Sequence, residues 1–92
     1  AGAFAIVLEV IPAELAARVK EAVSIPLIGI GAGNSTDGQV LVWQDLVGLT
    51  VGRTPKFVKK YAEVGDTIRT AVAQWSADVA SGEYPNDSNS YH

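Results

Sequence analysis

Glu9 closes the apolar run Phe4-Ala5-Ile6-Val7-Leu8, so a carboxylate stands immediately after what reads as a buried strand. Parallel α/β sheets and barrels carry their reactive groups at that end. Partial burial there disfavours a charged carboxylate, which suits a group that trades protons as a general base or acid. The position equally suits a solvated strand-end glutamate, and only geometry separates the two. A second cluster, Gly29-Ile30-Gly31-Ala32-Gly33, suggests phosphate binding, because glycines after a strand let backbone amides approach an anion. The spacing argues against it. A dinucleotide fingerprint begun at Gly29 needs glycine where Asn34 stands, and one begun at Gly31 needs it at Thr36. A P-loop begun at Gly33 reaches Gly38, but Gln39 and Val40 occupy the places of its lysine and hydroxyl. The structural reading is that small residues let strand and loop pack closely beside a ligand.

The remaining candidates are weaker. His92 is the only histidine and sits at the terminus, where disorder is the ordinary state. Asp37 and Asp45 are separated by apolar residues and read as capping or surface groups rather than metal ligands. No metal-ligand set is visible. Trp43 and Trp75 read as core or interface anchors.

The elements that must position Glu9 follow from hydrophobic pattern. Phe4 to Leu8 is continuously apolar, as in a strand covered on both faces of a parallel sheet. Pro12 and Glu14 suit the first turn of a helix in which Leu15, Ala16, Val19, Ala22 and Val23 recur at helical spacing. Pro26 stops it, and Leu27 to Ile30 reads as a second buried strand. A strand-helix-strand crossover implies parallel, right-handed connection, so Glu9 and Gly31 should share one rim. The loop Gly31 to Gly38 follows, with Asp37 as a cap for what comes next. Gln39 to Leu46 favours helix over strand. Pro55 to Tyr61 reads as a short basic helix and Asp66 to Ser81 as a longer one, with Ile68, Ala71, Val72, Trp75 and Val79 on one face. Gly82 is a helix stop. These boundaries give a folded part over 1–82 and a polar, mobile tail over 83–92.

Ninety-two residues, 48% of them apolar and 18% charged, make at most one small globular domain. The net charge of −3 leaves no footprint for nucleic acid, and the five basic residues from Arg53 to Arg69 read as a solvated helix face. Without cysteine there is no disulfide framework or thiolate site, so cytoplasm is the expected compartment. The apolar run is far shorter than the ~20 residues of a membrane span, and no membrane partner is expected. The chain lacks methionine and opens on Ala1-Gly2-Ala3 just before a strand, which reads as a piece of a longer protein.

Taken together, Val7-Leu8-Glu9-Val10-Ile11-Pro12-Ala13-Glu14-Leu15-Ala16, Ile25-Pro26-Leu27-Ile28-Gly29-Ile30-Gly31-Ala32-Gly33, Asp37-Gly38-Gln39-Val40-Leu41-Val42, Pro55-Lys56-Phe57-Val58-Lys59-Lys60-Tyr61 and Gly82-Glu83-Tyr84-Pro85 resemble the end of the ketopantoate hydroxymethyltransferases. The resemblance covers essentially the whole chain. It implies an α/β fold of the phosphoenolpyruvate/pyruvate-like superfamily: the last two strand-helix units and carboxyl-terminal helices of a (β/α)8 TIM barrel of ~250 residues. It also implies transfer of a hydroxymethyl group from methylenetetrahydrofolate to α-ketoisovalerate, giving ketopantoate for pantothenate synthesis. In that reading Mg2+ bound by the keto acid is the Lewis acid, its ligands lie on earlier strands outside this chain, and Glu9 is the general base. The partners implied are the rest of the barrel and further copies in a homo-oligomer, with Trp43 or the final helices as interface candidates.

Two other readings stay open. One is a non-catalytic structural fragment that folds only by docking or self-association, since isolated strands leave unpaired edges and an uncovered apolar face. The other is a small phosphate-binding α/β module.

Overall fold

Strand β1 (Ile6–Glu9), helix α1 (Ala13–Ala22) and strand β2 (Leu27–Ile30) form the predicted crossover in the computed structural model, which describes all 92 residues. A two-residue strand β3 (Gly38–Gln39) completes a parallel sheet of order β1-β2-β3. Ile6 pairs with Leu27 and Glu9 with Ile30, so the carboxyl ends of β1 and β2 share one edge, as expected. Helix α1 starts where Pro12 fixes the backbone and its carbonyl accepts the amides of Leu15 and Ala16 at 3.0 and 3.1 Å. Glu14 in the first turn and Lys20 in the last both suit the helix dipole. Val23 leaves the helix in extended geometry, and the Pro26 carbonyl receives the Ile6 amide at 2.9 Å, which starts the ladder.

Burial alternates along β1: Ile6 and Leu8 are half-buried, Val7 and Glu9 exposed. Side chains at paired positions of parallel strands share a face, so Leu27 and Gly29, both buried, belong with Ile6 and Leu8. On the other face Ile28 and Ile30 are half-buried and Val7 and Glu9 exposed. The expectation of a strand buried on both faces is therefore corrected: along β1 the face that carries Val7 and Glu9 is open. Ala16, Leu27 and Ala32 are the only fully buried apolar residues.

Two helical expectations also change. Gln39 to Leu46 is not one helix, because β3 takes Gly38–Gln39 and the Val40 amide continues the pairing onto the Gly29 carbonyl at 3.0 Å. Only Trp43–Leu46 turns as helix α2. Available backbone partners on β2 and the β-branched Val40 and Val42 favour extended chain here. Pro55 to Tyr61 holds a single turn, closed by the Val58 amide on the Pro55 carbonyl at 3.0 Å, rather than a helix. Its far end is drawn away when the Tyr61 amide binds the Leu46 carbonyl at 2.8 Å.

Helix α3 (Val64–Ser81) begins two residues earlier than the pattern predicts and stops at Gly82, which is left-handed at φ 84°. Its first turn is fastened by main chain: the amides of Val64 and Gly65 bind the carbonyls of Val47 and Gly48 at 2.9 and 3.1 Å. Two glycines permit this approach. A Cβ on Gly48, itself at φ +76°, would lie 2.4 Å from the Ala62 carbonyl oxygen, and one on Gly65 would lie 2.6 Å from that of Gly48. The apolar stripe of α3 is present but uncovered, with Ile68, Val72, Trp75 and Val79 all exposed. Residues 83–92 are exposed too, and carry one 3₁₀ turn, Asp87–Asn89, capped by Asn86. No helix is long and apolar enough to cross a membrane.

The result is an elongated body of 68 × 28 × 17 Å with a radius of gyration of 22.1 Å, against about 12 Å for a compact chain of this length. It exposes 7128 Å², which exceeds by about 2,000 Å² the roughly 5,100 Å² of a compact monomer of its mass. That surplus is the size of a protein interface. Expressed by themselves, these residues should therefore associate: light scattering should give a mass that rises with concentration, and a protected 9.6 kDa monomer at all concentrations contradicts this. Gly48→Ala should cost about 2 kcal/mol or more in chemical denaturation, because it combines left-handed strain with a backbone clash.

Candidate active-site rim

Strand pairing brings Glu9 to the rim, and the last rung fixes it there: the amide of Val10, the next residue, donates to the Ile30 carbonyl at 2.8 Å. Val10 is the only non-glycine residue with positive φ, at 50°. A β-branched side chain is poorly tolerated in that region, so the turn after Glu9 holds strain of about 1–2 kcal/mol. It also breaks the side-chain alternation of the strand. Glu9 is exposed on the open face, whereas Val10 and Ile11 turn into a neighbouring cavity. The half-burial expected of Glu9 is thus not met within this chain.

The cavity measures about 970 Å³ and opens between the β1–α1 turn, the loop after β2 and residues 55–57. Gly31 and Gly33, both at positive φ, form its floor by close packing. A Cβ on Gly31 would approach the Phe57 ring to 3.0 Å, and one on Gly33 would come within 2.6 Å of the Ala13 methyl. The glycines thus serve the structural role anticipated for them, beside a hollow. Sequence reasoning missed Phe57 and Lys56 as cavity residues, having assigned them to a solvated helix. Proline at 55 was the available signal for a turn.

Asp37 is not a helix cap. It accepts hydrogen bonds from the Lys20 ammonium and, at 2.8 Å, from the Leu27 amide, while its own amide donates to the Leu27 carbonyl at 2.9 Å. It therefore ties the end of α1 and the start of β2 to the loop before β3. The Lys20 hydrogen bond, then that of Leu27, holds its carboxyl below the ordinary value. Asp45 accepts from the Thr50 hydroxyl and Asp66 from Arg69. With these carboxylates engaged and Glu9 solitary, no group of three His, Cys, Asp or Glu gathers here, and the donor set does not fit a magnesium site. His92 stands exposed at the last position, and Trp43 and Trp75 are exposed rather than part of a core.

The family described as ketopantoate hydroxymethyltransferase matches residues 1–87. The chain belongs to that family. It is 53% identical over 91 residues to the 3-methyl-2-oxobutanoate hydroxymethyltransferase of Mycolicibacterium vanbaalenii, a match covering 99% of this chain and 32% of the relative. It is similar to the enzymes of that name from Corynebacterium glutamicum, with 54% identity over 91 residues (99% of this chain, 34% of the relative), and Streptomyces coelicolor, with 54% over 92 residues (100% and 32%). The chain thus spans about a third of the length of the curated ketopantoate hydroxymethyltransferases it matches. The edge and open face of its small parallel sheet agree with a piece of a larger α/β fold.

Two expectations follow. Because the folded-state pKa of Asp37 lies below its unfolded value, its contribution is full above the unfolded value and disappears as pH falls through the folded one. Asp37→Asn should therefore lower the denaturation midpoint at neutral pH, and the gap from the parent protein should close on acidification below about pH 4. Val10→Gly should be neutral or stabilising by up to about 1 kcal/mol, whereas Val7→Gly on the regular strand should destabilise by a similar amount; urea titrations of both variants check this.

Proposed function

We propose that this chain supplies the last two strand-helix units and carboxyl-terminal helices of a (β/α)8 barrel that makes ketopantoate, with Glu9 as its general base. The observation that carries the reading is the place of Glu9: the carboxyl end of a parallel strand, exposed on the face it shares with Val7, one residue from a cavity. In a closed barrel that open face would look inward, and the free edge of β1 would pair with the preceding strand.

In this reading the Glu9 carboxylate takes the proton from the branched carbon beside the keto group of α-ketoisovalerate. The C–H electron pair becomes an enolate, whose carbon bonds to the one-carbon unit of methylenetetrahydrofolate. The two carbon–nitrogen bonds that hold the one-carbon unit break, water leaves its hydroxyl on that carbon, and its other proton together with the one taken by Glu9 returns to the two nitrogens, so that tetrahydrofolate and ketopantoate leave. The Mg2+ implied by the family would take its ligands from strands outside this chain. A cytoplasmic location and homo-oligomeric assembly through Trp43 or α3 belong to the same proposal.

Glu9→Gln in the full-length enzyme should slow exchange of the substrate proton with deuterated solvent by about 10²–10⁴-fold while magnesium binding persists. Exchange at the parent rate removes Glu9 from the role. For these 92 residues taken alone, the surplus exposed surface favours a second reading, a piece that is ordered by docking onto the rest of the barrel or onto copies of itself.

A further inference from the structure

Every residue of this chain with positive φ is glycine except Val10. Glycine suits such positions because, without a Cβ, it meets no steric penalty there. Between β1 and α1 the chain carries a β-branched residue instead, and packing within these residues does not explain the choice. The Val10 side chain is 70% exposed, so little burial offsets the strain of holding it at φ 50°. Strain that no surrounding contact offsets, one residue from a candidate base, points to a role in the chemistry.

The three residues of that link are confined one after another. Val10 is held to the narrow left-handed well open to a residue with a Cβ. Ile11 precedes proline, which disfavours helical backbone there, and Pro12 has its φ of −55° set by its own ring. On the other side Glu9 is paired with Ile30, and the Val10 amide adds a rung onto the Ile30 carbonyl at 2.8 Å. Glu9 thus stands between a hydrogen-bonded ladder and a link with no free joint. Val10→Gly would keep the turn and relieve the strain, but it would set a freely rotating joint beside the carboxylate. A reacting group misplaced by about 1 Å can lose about 10²-fold in rate.

We propose that Val10 is a positioning residue, whose left-handed backbone locks the last rung of β1 and so holds the Glu9 carboxylate where it removes the substrate proton. This rests on the reading of Glu9 as the base. The Cβ of Val10 acts through the backbone conformations it forbids, and the isopropyl group is secondary.

The test uses the full-length enzyme and follows exchange of the α-ketoisovalerate proton with deuterated solvent in the absence of folate. Val10→Gly should slow exchange at saturating keto acid by about 10–100-fold, with KM for the keto acid changed less than about twofold. Its denaturation midpoint should be no lower than the parent's, and protection of the backbone amide at position 10 should fall about tenfold. Val10→Ala keeps a Cβ without the isopropyl group and should recover most of the rate. Exchange at the parent rate in Val10→Gly overturns the proposal. A lowered midpoint for that variant also overturns it, because Val10 would then serve stability. Exchange as slow in Val10→Ala as in Val10→Gly does the same, since it assigns the effect to the side chain. Glu9→Gln keeps the two readings apart: slow exchange there with the parent rate in Val10→Gly leaves the base and removes only the positioning role, whereas parent-rate exchange in Glu9→Gln removes both.

Discussion

The parallel pairing of β1 with β2 is the constraint on which everything else here depends. Register alone, Glu9 opposite Ile30, brings a strand-end carboxylate and a glycine loop to one edge although twenty residues of chain lie between their strands' ends. The Val10 amide adds the final rung, and its left-handed backbone turns the following residues from the strand into the cavity wall. Main-chain geometry sets the rim first, and side chains then furnish it. Asp37 reinforces the arrangement from the opposite end of the sheet, where a single carboxylate gathers the end of α1, the start of β2 and the loop into β3.

Much of this was legible in the residues. The unbroken apolar run before Glu9, Pro12 ahead of an amphipathic segment and Pro26 behind it are local signals, and the crossover they specify leaves one handedness and one shared edge. Gly82 as a helix stop was equally plain, because left-handed backbone at that point requires little else. The failures were non-local. Gln39 and Val40 extend because β2 offers them partners, and nothing in their own neighbourhood announces that. The chain from Pro55 to Tyr61 unwinds because Leu46 captures Tyr61, so Lys56 and Phe57 reach a cavity no periodicity could place them in.

Apolar patterning also misled in a specific way. It identified correctly which side chains seek cover, on β1 and along α3, but cannot say whether the cover lies in the same stretch of chain. Val7 and Trp75 are exposed in a chain that spans about a third of the length of the relatives it matches.

The junction between α3 and the segment before it has a further consequence. Gly48 and Gly65 meet through carbonyls and amides, with no side chain interposed, so the direction in which α3 projects is written in the backbone. Its outward-facing residues are free of any duty in aiming the helix. Substitution could thus rewrite the face that helix presents, one side chain at a time, while the arm itself keeps pointing the same way.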